Sequence, residues 1–311
     1  MTGAQCEPIT VLHSAADRPQ IGEVTQTIAQ AIGHTDRLEP LVRRLLAPNP
    51  SPYTFEGTQT YIVGHGDVAV IDPGPDLPHH VDAILAATAG ERIVAILCTH
   101  THRDHSPAAR LLAAATGAPV VGCAPLTMAD DGPRADAAFD VDYRPDRILA
   151  DGETVAGAGW TLEAVATPGH TSNHLCFALR ESKALFSGDH VMGWSTTVVS
   201  PPDGDMAAYM KSLDRLVARD DRIYYPAHGA PVEEPQRFVR AMAMHRRQRE
   251  RQILELLQHE AQPVPAMVTL MYRGLDPRLH GAAGRSVLAH LLDLEARDRV
   301  WRDGDKWALA A

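Results

Sequence analysis

The sequence predicts a mixed α/β fold in which a layered sheet core carries helices on its outer faces and is followed by a smaller, mainly helical domain. Two observations predict it. Between residues 59 and 225, a group of β-rich runs is followed by a helical segment, and this order occurs twice. From residue 236, the pattern changes to arginine-rich helical segments. With 311 residues, of which 45% are hydrophobic, the chain is long enough for two domains with full cores.

The first group of elements leads to a central strand. Residues 1–47 are expected to hold a strand or loop and short helices. Residues 61–63 and 68–71 are β-rich and flank a Gly-His-Gly-Asp turn, which predicts a hairpin. A short helix is expected over 79–90, and the continuous apolar run 92–98 predicts a buried strand. Ser106 as N-cap and Pro107 as the first helical residue predict that a helix follows.

The second group leads into the C-terminal domain. Strands are expected at 120–121, near 154, and at 160–167, 175–179, 184–186 and 222–225, with a helix over 205–218 before the last of them. Helices over 236–257, 265–272 and 282–297 and a hairpin over 300–308 follow, with Pro263 and Pro265 between the first two. Three helices and a hairpin are the order of a winged helix. The predicted domains are therefore 1–235, with the chemistry in 54–230, and 236–311.

Charge is unevenly distributed along the chain, whose net charge is −10. Residues 236–311 carry 13 basic and 9 acidic groups, or +4, and residues 1–235 carry 16 and 30, or −14. The acidic body disfavours a large nucleic-acid footprint, whereas the basic C-terminal part leaves a polyanion contact open. No apolar run approaches the ~20 residues of a membrane span, and the N-terminus lacks an apolar signal core, so a cytoplasmic protein is expected.

The densest group of metal-type side chains lies directly after the predicted central strand, in Thr-His-Thr-His-Arg-Asp-His at 99–105. Residues two apart in an extended segment point the same way, so His100 and His102 can reach one ion. Asp104 and His105 lie further round the turn and can face a second ion. Three imidazoles and a carboxylate in six residues are too dense for core packing, and a solvated polar loop is the less favoured alternative.

A tetrahedral metal needs three or four protein ligands, so others must come from elsewhere. Three more segments place a metal-type residue on a Pro- or Gly-containing loop after a strand: His170 in Thr-Pro-Gly-His-Thr, Asp189 in Ser-Gly-Asp-His and His228 in Tyr-Pro-Ala-His-Gly. A single histidine in a turn is usually structural. Four such segments in one chain, each at the exit of a strand, favour a common metal centre.

These motifs resemble those of the metallo-β-lactamase superfamily, whose pattern HxHxDH … H … D … H is matched in order. The runs NPSPYTFEGTQTYIVG, LFSGDHVMGWSTTVV and YYPAHG resemble the branch that contains lactamase-beta-like protein two. The resemblance implies a four-layered αββα core and a C-terminal winged-helix-like domain. By position, it implies that His100, His102 and His170 hold a first metal, that Asp104, His105 and His228 hold a second, and that Asp189 bridges them.

The implied cofactors are two divalent ions, with zinc expected first and iron or manganese as alternatives, because imidazole and carboxylate suit all three. Two Zn²⁺ ions bring four positive charges, of which Asp104 and Asp189 cancel two. Such a site stabilises a bound hydroxide, since zinc lowers the pKa of its water to ~7. Asp104 is the candidate for orienting this nucleophile and accepting its proton.

Further residues near the motifs have two readings each. Asp72 matches the motif-one aspartate of the family, which usually supports a ligand instead of binding metal. His174 is expected either to support a ligand or substrate or simply to pack. Thr196 and Thr197 follow Asp189 and could line the cleft, and Asn173 is a similar candidate.

Three functions remain open from the sequence. The first is a hydrolase that acts on a small acyl compound such as an ester, thioester, lactone or β-lactam. It is favoured by the acidic body and by six aspartates in 123–147 that could overhang the cleft.

The second is an endoribonuclease that acts on single-stranded RNA, with contacts from Arg246, Arg247, Arg249 and Arg251. A solvated helix face or a homodimer surface is the other reading of these arginines. The third, a DNA-binding winged helix, ranks last because helix 282–297 carries Arg285 and Arg297 against Asp293 and Glu295.

Overall fold

The computed structural model describes residues 33–126 and 139–310. Its first sheet contains β1 (Asp36–Glu39), β2 (Val42–Leu46), β3 (Gln59–His65), β4 (Asp67–Ile71), β5 (Arg92–Cys98), β6 (Val120–Gly122) and β7 (Arg147–Ile148) in that spatial order. The predicted hairpin is β3–β4, which are antiparallel with Tyr61 opposite Ile71. From β4 to β7 the strands are parallel. Strand β5 is the predicted central strand, and its last four residues are buried because it is apolar on both faces.

The second sheet contains β8 (Thr154–Gly157), β9 (Trp160–Ala166), β10 (Leu175–Leu179), β11 (Ala184–Gly188) and β12 (Ile223–Pro226). Their spatial order is β12–β11–β10–β9–β8. Only the pair β11–β12 is parallel among these strands, and the other neighbouring pairs are antiparallel. Strands β11 and β12 therefore end on the same edge of the sheet.

Helices cover the outer face of each sheet. Helices α1 (Pro78–Ala87) and α2 (Ala108–Thr116) pack on the first sheet through Val81, Ile84 and Leu112. Helices α3 (Met206–Val217) and α4 (Pro235–Leu257) pack on the second. Asp205 caps α3 by accepting a hydrogen bond from Ala208 N at 2.8 Å, and Pro235 occupies the first turn of α4, where its missing N–H costs nothing.

Alternation along the strands of the second sheet creates the layers. Ala164, Phe177, Phe186 and Tyr225 point inward and join the core of the first sheet, whereas Val165, Cys176, Leu185 and Tyr224 point outward to α3 and α4. Since successive strand residues face opposite sides, one sequence supplies both cores. The result is helices, sheet, sheet and helices, which confirms the predicted αββα arrangement.

A third core forms at the C-terminus from α4, α5 (Val264–Met271) and α6 (His280–Ala296), joined by a 3₁₀ turn at Pro277–Leu279. Strands β13 (Gln262–Pro263), β14 (Val300–Asp303) and β15 (Lys306–Leu309) form a small sheet in the order β13–β15–β14. The residues of this core include Ile253, Leu257, Val287, Leu291 and Trp307. Three helices and a hairpin confirm the predicted winged-helix architecture.

The predicted domain boundary at 235/236 falls at the first residue of α4. This helix takes part in two cores, with Val239, Met242 and Ala243 in the second and Ile253 and Leu257 in the third. The boundary itself stays a prediction.

Two local predictions are wrong. The segment 36–46 is not helical but forms the antiparallel pair β1–β2, and residues 1–32 lie outside the described part of the chain. Ser106 is not the N-cap of α2: its Oγ donates to Asp140 Oδ2 at 2.9 Å, and the residue before the helix is Pro107.

Within residues 33–126 and 139–310, no helix has both the length and the apolar character needed to cross a bilayer.

Candidate metal centre

The predicted ligand segments all leave strands at the edge where the two sheets open. Asp72 follows β4, residues 99–105 follow β5, and Asp189 follows β11. His170 and His228 lie on the short turns after β9 and β12. Ligand sites in α/β proteins form at the carboxyl ends of strands, because chain segments that are distant in sequence meet there. All seven predicted ligands come together at this edge.

The first ligand group consists of His100, His102, His170 and Asp189, all of which are buried. His102 Nδ1 lies 3.0 Å from His100 Nε2 and 3.1 Å from His170 Nε2. Neighbouring nitrogens around a tetrahedral zinc ion are separated by roughly 3.3 Å, since each Zn–N bond measures about 2.0–2.1 Å. The spacing therefore suits one ion bound by three imidazoles.

The second ligand group consists of Asp104, His105 and His228. Asp104 Oδ2 lies 3.2 Å from His105 Nε2 and 3.2 Å from His228 Nε2. Asp189 stands between the groups. Its Oδ1 lies 3.2 Å from His228 Nε2, and its Oδ2 lies 3.5 Å from His170 Nε2. One carboxylate therefore presents one oxygen to each group.

Buried ligand atoms without hydrogen bonds indicate that a cation fits here. Across the described residues, His105 Nε2 and Asp189 Oδ1 are buried and form no hydrogen bond of acceptable geometry, although each lies 3.2 Å from an atom of another candidate ligand. Leaving such groups unsatisfied costs about 1–3 kcal/mol each or more, so native proteins rarely do so without a ligand. In each group the ligand atoms all lie within 4.8 Å of one another. Imidazole and carboxylate together suit zinc, iron or manganese.

Backbone carbonyls fix which nitrogen of each ligand faces the centre. His170 Nδ1 lies 2.7 Å from Val198 O, and His228 Nδ1 lies 3.0 Å from Gly57 O. A carbonyl only accepts, so Nδ1 carries the proton in both rings and Nε2 keeps its lone pair for a metal. These contacts orient the two rings before any ion binds.

Asp72 anchors the segment that follows β5 by accepting hydrogen bonds from it. Its Oδ1 accepts from Thr99 N at 2.8 Å, and its Oδ2 accepts from Thr99 Oγ1 at 2.7 Å and faces His105 Nδ1 at 2.9 Å. Three donors thus converge on one buried carboxylate. Asp72 does not belong to either ligand group, but it contacts His105, a member of the second group.

Replacing Asp72 with asparagine is expected to weaken binding at the second ligand group by about 10- to 100-fold. Asparagine offers one acceptor oxygen and an NH₂ group, so it cannot satisfy all three donors: its NH₂ group must face either Thr99 N or the pair formed by Thr99 Oγ1 and His105 Nδ1. Zn²⁺ competition against a chromophoric chelator measures the effect. Asp76→Asn, at an exposed residue that pairs with Arg110, is the control. Equal affinities in the wild type and Asp72→Asn would contradict the role.

Electrostatics differ between the two groups. Burial and the neighbouring imidazoles hold the pKa of His100 well below 6.5 and lower the pKa of His102 to about 3. Burial also opposes charge on His105, but Asp104, Asp189 and Asp72 outweigh it and raise the His105 pKa well above 6.5. The pKa of His228 is raised in the same way by Asp189 and Asp104. Without a cation, the second group therefore binds protons that a metal would displace.

The remaining predicted residues differ in their contacts and exposure. His174 contacts Thr167 Oγ1 through Nδ1 at 2.9 Å and accepts from Asp189 N at 3.2 Å, so it holds the backbone of a ligand. Asn173 Nδ2 donates to Thr101 Oγ1 at 3.1 Å and to Ala124 O at 2.7 Å, which ties loops together. Thr197 Oγ1 donates to Asp189 O at 2.8 Å and is buried, whereas Thr196 is exposed.

Sequence reasoning missed the residues that hold the second group. Thr58 Oγ1 lies 3.1 Å from Asp104 Oδ2 and donates to it, and Gly57 supplies the carbonyl for His228. Both lie in the Glu-Gly-Thr-Gln-Thr segment that leads into β3. In the sequence, this segment stands out only because it precedes a buried strand. The contact from Gly57 uses a backbone carbonyl, which every residue has, so no residue type marks it.

Three of the four arginines predicted to contact RNA make contacts within the chain, and the fourth, Arg251, is exposed. Arg246 is buried and donates to Thr197 O, and Arg249 lies over the Tyr272 ring at 4.4 Å and donates to Met271 O. Arg247 pairs with Asp214 at 3.3 Å. Arg297 pairs with Glu250 and Asp293. Of the aspartates expected to overhang the cleft, Asp130, Asp131 and Asp136 lie outside the described residues, and Asp140 binds Ser106.

Comparisons with known proteins identify the family to which the chain belongs. Residues 53–228 match the family model of the metallo-beta-lactamase superfamily, and residues 264–307 match that of the beta-lactamase associated winged helix domain. A beta-lactamase-like protein 2 homolog of Drosophila melanogaster is 32% identical over 282 residues, which cover 87% of this chain and 94% of that protein. An atrochrysone carboxyl ACP thioesterase of Aspergillus fumigatus is 36% identical over 230 residues, which cover 72% and 67%.

A solved structure shares the fold over nearly the whole chain. The beta-lactamase domain protein of Burkholderia ambifaria superimposes with a TM-score of 0.76 at 22% identity, covering 90% of this chain and 94% of that one. The family match spans more than half of the chain and contains all seven converging ligand residues. The chain therefore belongs to the metallo-β-lactamase superfamily and carries the associated winged-helix domain at its C-terminus.

Proposed function

We propose that this protein is a hydrolase that uses two divalent cations, zinc first, to cleave a small acyl compound, with thioesters and esters ahead of lactones and β-lactam-like amides. The observation that carries the proposal is Asp189, whose two oxygens face two separate groups of buried histidine nitrogens. A single structural ion would need only one such group.

Residues of the chain would hold the cations and orient the attacking water. Cations held by the two groups would supply electrophilic stabilisation and an activated water. Asp104 is the only carboxylate of the second group and is partly exposed, with 14% of its side chain accessible. Burial opposes its ionisation, but His105 and His228 outweigh burial and hold the Asp104 pKa well below its ordinary value. It therefore stays ionised and can orient the attacking water by accepting a hydrogen bond from it. Thr58 Oγ1 fixes the orientation of this carboxylate.

Two observations favour an acyl substrate over RNA. Several relatives at 30–36% identity are named as carboxyl ACP thioesterases. Beside the turn that carries His170, a cleft of about 720 Å³ runs between the catalytic core and α6. Its described lining combines apolar residues such as Met206, Leu288 and Leu292 with Asp203, Asp205 and Asp293, and includes no lysine or arginine. None of the seven candidate ligands lines this cleft, but its acidic groups beside the His170 turn disfavour the approach of a phosphate backbone.

A substrate panel tests the proposal. The purified protein is incubated with acyl thioesters, p-nitrophenyl esters, a lactone, nitrocefin and single-stranded RNA, with and without chelator. We expect chelator-sensitive cleavage of a thioester or ester that His102→Ala abolishes. RNA cleavage that vanishes in His102→Ala, without acyl hydrolysis, would replace the acyl substrate by RNA. Metal analysis below about 1.5 ions per chain would contradict the two-cation centre.

His228→Ala is expected to remove one ion and leave the other. His228 belongs only to the second ligand group, whereas His100, His102, His170 and Asp189 stay intact. Metal content after dialysis against Zn²⁺ should fall from about two ions per chain to about one. His79→Ala, at an exposed histidine on α1, is the matched control and should retain two. Retention of two tightly bound ions by His228→Ala would show that His228 is not a ligand.

A further inference from the structure

Arg246 is a buried cation on α4 that the proposed chemistry does not use. Only 3% of its surface is accessible. Its Nη2 donates to Thr197 O, and its guanidinium carbon lies 5.3 Å from the centre of the Tyr209 ring. Within the described ranges, no carboxylate forms an ion pair with it. An apolar side chain of similar length would avoid the desolvation of a buried charge, so stability alone does not account for an arginine here.

The carbonyl that Arg246 binds belongs to the loop that supports the first ligand group. Thr197 Oγ1 donates to Asp189 O at 2.8 Å and to His190 O at 3.0 Å. The next residue, Val198, provides the carbonyl that orients His170 Nδ1 at 2.7 Å. Two adjacent residues thus hold the imidazole of His170 and the backbone of Asp189, and Arg246 binds the carbonyl of the peptide between them.

Tyr209, which lies under the guanidinium of Arg246, supports the same ligands from α3. Its hydroxyl donates to His190 O at 3.1 Å. Its backbone packs so closely on Gly169 that a Cβ there would lie 2.3 Å from Tyr209 Cα. Tyr209 and Arg246 pack against each other. Together they contact both the turn that carries His170 and the loop that follows Asp189. The ligands of the second group are held instead through Asp72, Gly57 and Thr58.

We propose that Arg246 is a positioning residue for the first ligand group, through which the C-terminal part of the chain sets the metal affinity of the catalytic core. The inference rests on the proposed two-cation centre. Partners that orient metal ligands typically change metal affinity by about 10- to 100-fold when removed. Arg246 acts through Thr197 and Val198, so its loss should weaken the first ion and leave the second less affected.

The test isolates the first ion in a His228→Ala background, where the second ligand group is incomplete. Arg246→Met and Arg246→Lys are added to this background, and the Kd for Zn²⁺ is measured by competition against a chromophoric chelator. Thermal unfolding of the metal-free proteins is recorded alongside. Arg247→Met, at a half-exposed residue one position along α4, is the matched control. We expect Arg246→Met to raise the Kd by about 10-fold or more and Arg246→Lys, which keeps one donor for Thr197 O, to raise it less.

The outcomes separate this inference from the proposed function. If His228→Ala alone binds no Zn²⁺ and the wild type binds none, the metal centre fails and Arg246 has nothing to position. If His228→Ala binds one ion and Arg246→Met binds it equally well, only the role of Arg246 is overturned. A loss of thermal stability without a change in Kd also overturns it. If Arg246→Met does not fold, an unchanged Kd in Arg246→Lys overturns the inference and a raised Kd supports it.

Discussion

Asp189→Ala is expected to remove both metal ions, whereas each histidine variant removes one. Asp189 Oδ1 lies 3.5 Å from His105 Nε2 and 3.2 Å from His228 Nε2, and Oδ2 lies 3.5 Å from His170 Nε2 and 4.0 Å from His100 Nε2. Alanine removes a ligand from each group and one of the two negative charges that face the cations. Metal content should fall from about two ions per chain toward zero, and hydrolysis should fall by more than the ~100-fold that supporting residues cost.

Two further variants serve as comparisons for Asp189→Ala. Asp189→Asn keeps the shape but loses the charge, and it should retain less than one ion per chain if charge dominates. Asp220→Ala removes an exposed aspartate that pairs with Lys183 and should behave as the wild type. If Asp189→Ala kept one tightly bound ion in full, Asp189 would serve a single group and the bridging arrangement would be wrong.

Gly188→Ala is expected to lower the free energy of unfolding by about 2–5 kcal/mol and to disturb the centre. Gly188 has a φ of +50°, and an added Cβ would lie 2.6 Å from His174 Nε2 and 2.9 Å from Thr99 Oγ1. The left-handed conformation costs about 1–2 kcal/mol for alanine, and forcing a methyl group between packed side chains costs about 1–3 kcal/mol. His174 would move off Asp189 N, so metal affinity should fall as well.

Gly117→Ala separates the two contributions to this loss. Gly117 has a φ of +72° after α2, but its Cβ would meet no atom within 4 Å. Chemical denaturation should therefore show a loss of about 1–2 kcal/mol for Gly117→Ala and a larger loss for Gly188→Ala. Equal losses would mean that His174 and Thr99 move aside at no cost.

The part of the molecule that follows local patterns was predictable. The apolar run 92–98 and the motif after it specify a buried strand with ligands at its end, and local spacing sufficed to place His100 and His102 together. Predicting that His170, Asp189 and His228 converge required two further observations: four similar motifs that each follow a strand, and the resemblance to the family.

Other features depend on contacts that are distant in sequence. The hairpin β1–β2 carries Arg43 and Arg44, which look out of place in a strand, but their side chains reach Glu91 and Asp36. The contacts of His170 and His228 with backbone carbonyls depend on loop geometry alone. In the sequence, Arg246 looks like one of several surface arginines on a helix. Only the packing of α4 against α3 turns its side chain inward.

The continuity of α4 limits how the protein can be divided. Removing everything after residue 234 would strip Val239, Met242 and Ala243 from the core that they share with Val165, Leu185 and Tyr224 of the second sheet. A fragment cut there would carry all seven ligand residues and still lack the cover that keeps their strands in place. Engineering of a minimal catalytic unit should therefore keep the first half of α4, and the natural place to join a foreign C-terminal domain lies beyond Arg246.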